Sequence, residues 1–280
     1  MLLTGEVVRL DRASDGRGAP WFGCRRRYGV RPRRIAMGGM SCLLALAGCS
    51  KPDEGKARSI AVLTLAKMGQ AGARFLDSRY ERMGSYWVMD YGSQKVKWRV
   101  HVDEQEVFYL LSSELERAMA RRGNRAESAK RRSSQLEAWS DAATKGLAGS
   151  TSYKKSRPEF TPQGTVRYAY DAQLGGYRVY GYGSTLEVDA ATGNFLAYAG
   201  RWKLPPADPA PAKPASSTLA ARALATAFGV RSIGPPKEEL LAYCDLGQNR
   251  LRLCWRIKAA SLSGTIDATT GAVISKELYK

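Results

Sequence analysis

The sequence predicts an α+β protein, built of repeated units in which one helix packs on an antiparallel sheet of hairpins. Three observations predict it. Apolar residues alternate with polar ones in Val96-Lys97-Trp98-Arg99-Val100-His101-Val102-Asp103 and again at Leu251, Leu253, Trp255 and Ile257, the period of a half-buried strand. A strand–turn–strand motif occurs twice, 78 residues apart: Leu186-Glu187-Val188-Asp189-Ala190-Ala191-Thr192-Gly193 and Gly264-Thr265-Ile266-Asp267-Ala268-Thr269-Thr270-Gly271. Each copy follows an Ala-rich helical run.

The elements follow in chain order. Ile60, Leu63 and Met68 mark a first helix, and strands are expected over 86–91, 96–102 and 106–111. Val102-Asp103 echoes the repeated motif without its Thr-Gly. Glu114 to Trp139 reads as a helix pair broken near Gly123-Asn124. Ser134 to Ala143 continues as a helix that ends near Gly146. Segments 166–171 and 177–182 flank Gly175-Gly176, a hairpin signal. Ser216-Ser217-Thr218 caps a helix over Leu219 to Phe228, which Gly229 stops. Residues 240–246 and 251–257 form a hairpin around Gly247-Gln248-Asn249. Asp189, Thr192 and Gly193, with Asp267, Thr270 and Gly271, read as turn residues. Asp accepts nearby backbone N–H groups, and Gly supplies the left-handed conformation. Between the two copies, five prolines in positions 205–214 forbid helix and central strand and give an extended, semi-rigid spacer.

The N-terminal end reads as a targeting segment. Arg25, Arg26, Arg27, Arg31, Arg33 and Arg34 precede a charge-free stretch from Ile35 to Gly48, which is too short to span a bilayer. Leu46-Ala47-Gly48-Cys49 resembles the lipobox of bacterial lipoproteins. That resemblance implies cleavage before Cys49 and acylation of its sulfur, of the palmitate type, which holds the chain in the bacterial cell envelope. A secretory n-region is short, so residues 1–29 fit translation starting at Val30. The expected organisation is a signal peptide over 1–48, a tether over 49–56, a degenerate α+β unit with a basic helical segment over 57–133, a unit over 134–203, a linker over 204–215 and a unit over 216–280.

The helix, the antiparallel strands and the closing aliphatic-Asp-Ala-x-Thr-Gly hairpin look like a PepSY domain. Ile266-Asp267-Ala268-Thr269-Thr270-Gly271 carries the likeness best, and Val188-Asp189-Ala190-Ala191-Thr192-Gly193 next. The resemblance implies a non-catalytic module that binds or restrains a peptidase or peptide in the envelope. It brings no catalytic residues and no cofactor.

Charge and chemistry agree with such a role. The formal charge of +18 first suggests nucleic acid. Residues 1–48 hold nine Arg and three acids, so 35 basic and 23 acidic residues remain without them, a net of +12. Export disfavours nucleic acid. The basic stretch from Arg121 to Arg132 is either a solvated helix face or a docking site for anionic lipid or polymer. The single His excludes His-rich metal sites and most His catalysis, and its place in an alternating strand puts it on the wet face. No P-loop, dinucleotide fingerprint, zinc spacing or EF-hand loop occurs. Tyr168, Tyr170, Tyr180 and Tyr182 concentrate on one hairpin, either as a candidate binding face or as cover for the sheet against its helix. Cys244 and Cys254 lie on facing strands, either joined by a disulfide or as two separate thiols. A hydrolase with a site invisible in sequence, and a structural or assembly lipoprotein, are the alternative functions.

Overall fold

The computed structural model describes residues 51–93, 96–121, 125–247 and 250–278. The expected signal peptide, Cys49, Arg122 and the turn residues Gln248 and Asn249 lie outside the described residues. The fold is α+β, with one large, mostly antiparallel sheet and five helices among the described residues.

Helix α1 (Glu54–Lys67) starts where the Asp53 carboxylate accepts the N–H groups of Gly55 at 2.7 Å and Lys56 at 3.2 Å. It leads into a meander of β1 (Arg74–Glu81), β2 (Tyr86–Gly92), β3 (Lys97–Val102) and β4 (Val107–Ser112). Two short helices follow, α2 (Glu114–Met119) and α3 (Ala126–Arg131), then α4 (Ser133–Ala148). Short strands β5 (Tyr153–Lys155) and β6 (Glu159–Phe160) pair with β7 (Thr165–Leu174), which pairs with β8 (Tyr177–Asp189), and β8 turns into β9 (Phe195–Arg201). Helix α5 (Ser217–Phe228) and the meander β10 (Glu238–Asp245), β11 (Leu251–Lys258), β12 (Leu262–Asp267) and β13 (Val273–Leu278) complete the chain.

Two pairings join these groups of strands. Strand β4 lies antiparallel to β9 through Tyr109 opposite Ala199 and Leu111 opposite Ala197. The 13-residue β8 outruns β9 at its N-terminal end, where β10 pairs parallel to it through Ala242–Arg178 and Tyr243–Val179. Gly183 makes this long strand possible. Its φ is +122°, and a Cβ there would lie 2.0 Å from the Tyr170 carbonyl oxygen.

The small residues of α1 set it close to the sheet, with Ala57, Ala61, Leu65 and Met68 in one core with Met89, Val100 and Leu110. That core continues under α4 through Ala143 and Ala148 to Val166, Leu186 and Tyr198. Helix α5 covers a second core of Ala220, Leu224, Ile257, Leu262 and Ile266. Leu224 reaches so near β12 that a Cβ on Gly264 would meet its Cδ1 at 2.3 Å. Its full burial stabilises by about 2 kcal/mol.

The Pro-rich segment is extended and fastened to the sheet. Leu251 donates to the Pro206 carbonyl and accepts from the Asp208 N–H, both at 2.8 Å. The Asp208 carboxylate takes Arg252 at 3.0 Å and Arg250. Ala215 accepts the Trp255 indole N–H at 2.7 Å. Because β12 pairs with β11 only from Cys254 onward, the backbone at Leu251 is open to this segment. A free spacer is therefore not what lies between α5 and β9.

Candidate functional site

The two Asp-x-x-Thr/Thr-Gly turns have the same construction. The Asp189 carboxylate accepts the Ala191 N–H and the Thr192 hydroxyl, both at 2.9 Å, and its carbonyl accepts from Gly193 at 2.7 Å. The Asp267 carboxylate accepts from Thr269 at 2.8 Å and Thr270 at 2.9 Å, and its carbonyl accepts from Gly271 at 2.9 Å. Both glycines have φ near +75°, the left-handed value that closes the turn (+76° and +74°). After β3, Asp103 makes a shorter version. It accepts from Gln105 and Glu106, each at 2.9 Å, and the turn closes at Glu106 without a glycine.

The turns differ in what reaches them. Arg121 forms a two-armed ion pair with Asp189, one arm measuring 2.6 Å, while Asp267 has no ion pair among the described residues. Burial pushes the Asp189 carboxyl up, but the Arg121 guanidinium and the turn donors outweigh it and hold it below the usual carboxylate range. Arg132 donates to the Ala191 carbonyl at 2.6 Å, and Lys130 pairs with Glu127. Part of the basic stretch thus clamps the Asp189 turn. Arg117, Arg125 and Arg131 have exposed side chains.

The tyrosine face needs correction. Tyr168 and Tyr170 are buried beneath α4, at 0% and 1% exposure. Tyr168 donates to the Ser133 carbonyl at 3.1 Å, and Tyr170 to Asp141 at 2.6 Å. Those helix acceptors are what let the phenol groups turn inward. Burial pushes the Tyr168 hydroxyl up to about 12. Tyr180 and Tyr182 are half-buried. Arg256 lies 3.3 Å over the Tyr180 ring, and Tyr182 donates to Asp245 at 3.4 Å. Neither pair forms a continuous outer aromatic face with the other.

The cysteines are free thiols. Cys244 faces Arg252 and Cys254 faces Ala242, so the two thiols are diagonal rather than opposite on the same face of the hairpin. A hydrogen bond to Cys254, with burial behind it, pushes the Cys244 thiol up.

An aromatic cluster does occupy the sheet face away from α1, and the sequence did not reveal it. His101 stacks on Tyr86 with ring centroids 5.3 Å apart and planes 17° apart. Phe108 meets Tyr86 edge-on at 5.1 Å and His101 at 5.9 Å, and Tyr109 meets His101 at 5.2 Å. All four side chains are half-buried. The Arg201 guanidinium lies 5.1 Å from the Phe108 centroid and pairs with Asp103 at 3.1 Å. Arg99 pairs with Asp90 at 3.0 Å beside His101. Burial, then Arg99 and Arg79, hold the His101 imidazole below its ordinary value. It is neutral at neutral pH. Beyond Tyr109 and Leu111 the next strand sets Ala199 and Ala197 opposite them, so the aromatic edge borders a low strip that ends at Arg201. Such an edge offers apolar area with polar tips and two guanidinium groups. Among the described residues, no three His, Cys, Asp or Glu side chains gather as metal ligands.

No family model and no curated protein matches the chain. Among solved structures, it is similar to the Bacillus megaterium YpeB C-terminal domain, at 14% identity and a TM-score of 0.43, over 82% of this chain and 99% of that one.

Proposed function

We propose that the chain is a non-catalytic binding module of the bacterial envelope, held by lipid on Cys49 and built of PepSY-like helix-on-sheet units, three if the short Asp103 turn is counted. Its partner is a polypeptide, and an envelope peptidase is the candidate that the resemblance implies. The observation that supports this reading most is the half-buried cluster of Tyr86, His101, Phe108 and Tyr109 on the face opposite the helices. Aromatic side chains with polar tips supply large contact area at small entropic cost. The Arg99–Asp90 and Arg201–Asp103 pairs at the rim offer polar groups of both signs to a partner segment. The exposed Arg117, Arg125 and Arg131 are left for an anionic lipid or polymer.

The test joins fractionation to crosslinking. The wild-type chain goes to the membrane fraction, and Cys49→Ala moves it to the soluble fraction. A photo-crosslinking residue at Arg99 gives a polypeptide adduct in membranes, and the same residue at Ala142 on the helix side gives none. Membrane retention of Cys49→Ala sinks the anchor. Equal adducts at both positions, or hydrolysis of envelope substrates by the purified chain, sink the binding role.

A further inference from the structure

The hairpin tip between β1 and β2 carries Arg82, Met83, Gly84 and Ser85, all exposed. Met83 is 98% exposed, whereas the next most exposed large hydrophobic, Leu278, stands at 69%. A single exposed apolar side chain needs no explanation by itself. Its position supplies one.

The chain enters the fold beside this tip. The Trp87 indole N–H donates to the Pro52 carbonyl at 3.0 Å. The Lys51 ammonium lies 4.2 Å over the Trp87 ring and 5.8 Å from Tyr80. Tyr80 and Trp87 are directly opposite each other, one pair in from the last pair of the hairpin, Glu81 and Tyr86. Met83 is thus on the order of 10 Å from the entry point. The tip is also held in shape. Ser85 takes the left-handed φ of +55°, and the Tyr86 ring lies on Gly84 so closely that a Cβ there would meet it at 2.1 Å.

Ser50 alone separates Lys51 from Cys49, a span of at most about 7 Å. A lipid on Cys49 would therefore hold Met83 within reach of the headgroup layer, into which interfacial apolar groups sink about 5–10 Å. Lys51 and Lys56 share this end with Asp53, Asp103 and Glu104, and Arg82 follows Glu81 in the chain, so the charge is mixed and gives little net pull toward an anionic surface. The contact rests on the apolar tip.

We propose that the β1–β2 tip is a second membrane contact, with Met83 entering the bilayer interface beside the lipidated N-terminus. This rests on the reading that Cys49 carries lipid. The occupant is the bilayer itself. The contact would fix the orientation of the fold, bringing the Tyr86–Phe108 end of the outer face close to the membrane and leaving α2 and α3 a strand length away, where Arg117, Arg125 and Arg131 would meet an anionic polymer rather than lipid.

The lipidated full chain in phosphatidylethanolamine–phosphatidylglycerol vesicles tests it. An environment-sensitive label goes on Met83→Cys or, as the distant control, on Ser134→Cys at the start of α4. Spin-labelled lipid should lower emission from position 83 by about two-fold and leave position 134 unchanged, and raised salt should not reverse this. A chain that floats with vesicles while position 83 stays unquenched overturns the tip contact and leaves the anchor standing. Equal quenching at both positions overturns it too, because the chain would then lie flat. A wild-type chain that does not float overturns the anchor, and the tip contact with it.

Discussion

Replacing Asp189 by Asn should destabilise the protein far more than the same change at Asp267, although both residues cap equivalent turns. The Asp189 side chain is 3% exposed and its partner Arg121 is 22% exposed. Asn keeps the turn acceptor but leaves the guanidinium short of its counter-charge. Breaking a fully buried pair costs about 3–5 kcal/mol, and the water that reaches Arg121 brings Asp189→Asn to about 2 kcal/mol. Arg121→Ala leaves the more deeply buried charge behind, so it should cost more, about 3 kcal/mol. Asp267→Asn weakens two turn hydrogen bonds and strands no cation, so it should cost about 1 kcal/mol. Urea unfolding at neutral pH measures all three, and the Asp189→Asn/Arg121→Ala double variant measures the coupling. Equal costs for the two Asn variants, or strictly additive costs in the double variant, would refute the assignment of Arg121 to the Asp189 turn.

Other outcomes follow from the same contacts. Asp189 binds its proton less readily in the folded state, so its contribution is complete above the unfolded value of about 3.9 and lost as pH falls through the lower folded value. The acid limb of a stability–pH profile should therefore be flatter in Asp189→Asn. His101 should titrate by NMR below about 6.5, and Arg99→Ala should move it upward, because a repelling cation is removed. Stability should also fall as pH drops from about 6.5 toward the folded value of His101. Gly183→Ala should cost at least about 4 kcal/mol or prevent folding, since its Cβ would strike the Tyr170 carbonyl at a left-handed φ; circular dichroism with thermal melting checks it. Thiol reagents should modify Cys244 and Cys254 only as fast as the protein unfolds.

The sequence made local structure legible and left its partners hidden. Alternation along β3 put His101 opposite Trp98 and Val100, but the register with Tyr86 and Tyr109 decides what covers it, and no strand states its own register. The tyrosines of β7 were visible as an aromatic cluster. Which face α4 would cover was not, and burial of Tyr168 and Tyr170 depends on acceptors at Ser133 and Asp141 roughly thirty residues earlier. Composition gave an extended Pro-rich segment. It could not show that β12 ends its pairing at Cys254, short of Leu251, which is where the segment binds. Arg121 and Asp189 lie 68 residues apart, so only the fold turns a basic residue of the stretch into a turn clamp. The cysteine alternatives stayed open for a smaller reason. The turn sets Asp245 opposite Leu251, and that sum of positions places each Cys two residues from facing the other.

Binding through the outer aromatic face is the central claim, and the affinity of the captured polypeptide for a Phe108→Ala chain tests it most directly. Phe108 touches Tyr86 and His101 at the surface and is absent from both cores. The variant should keep its fold by near-ultraviolet circular dichroism and lose about tenfold or more in affinity, as a truncated aromatic anchor does. An unchanged affinity in a folded variant would contradict the account.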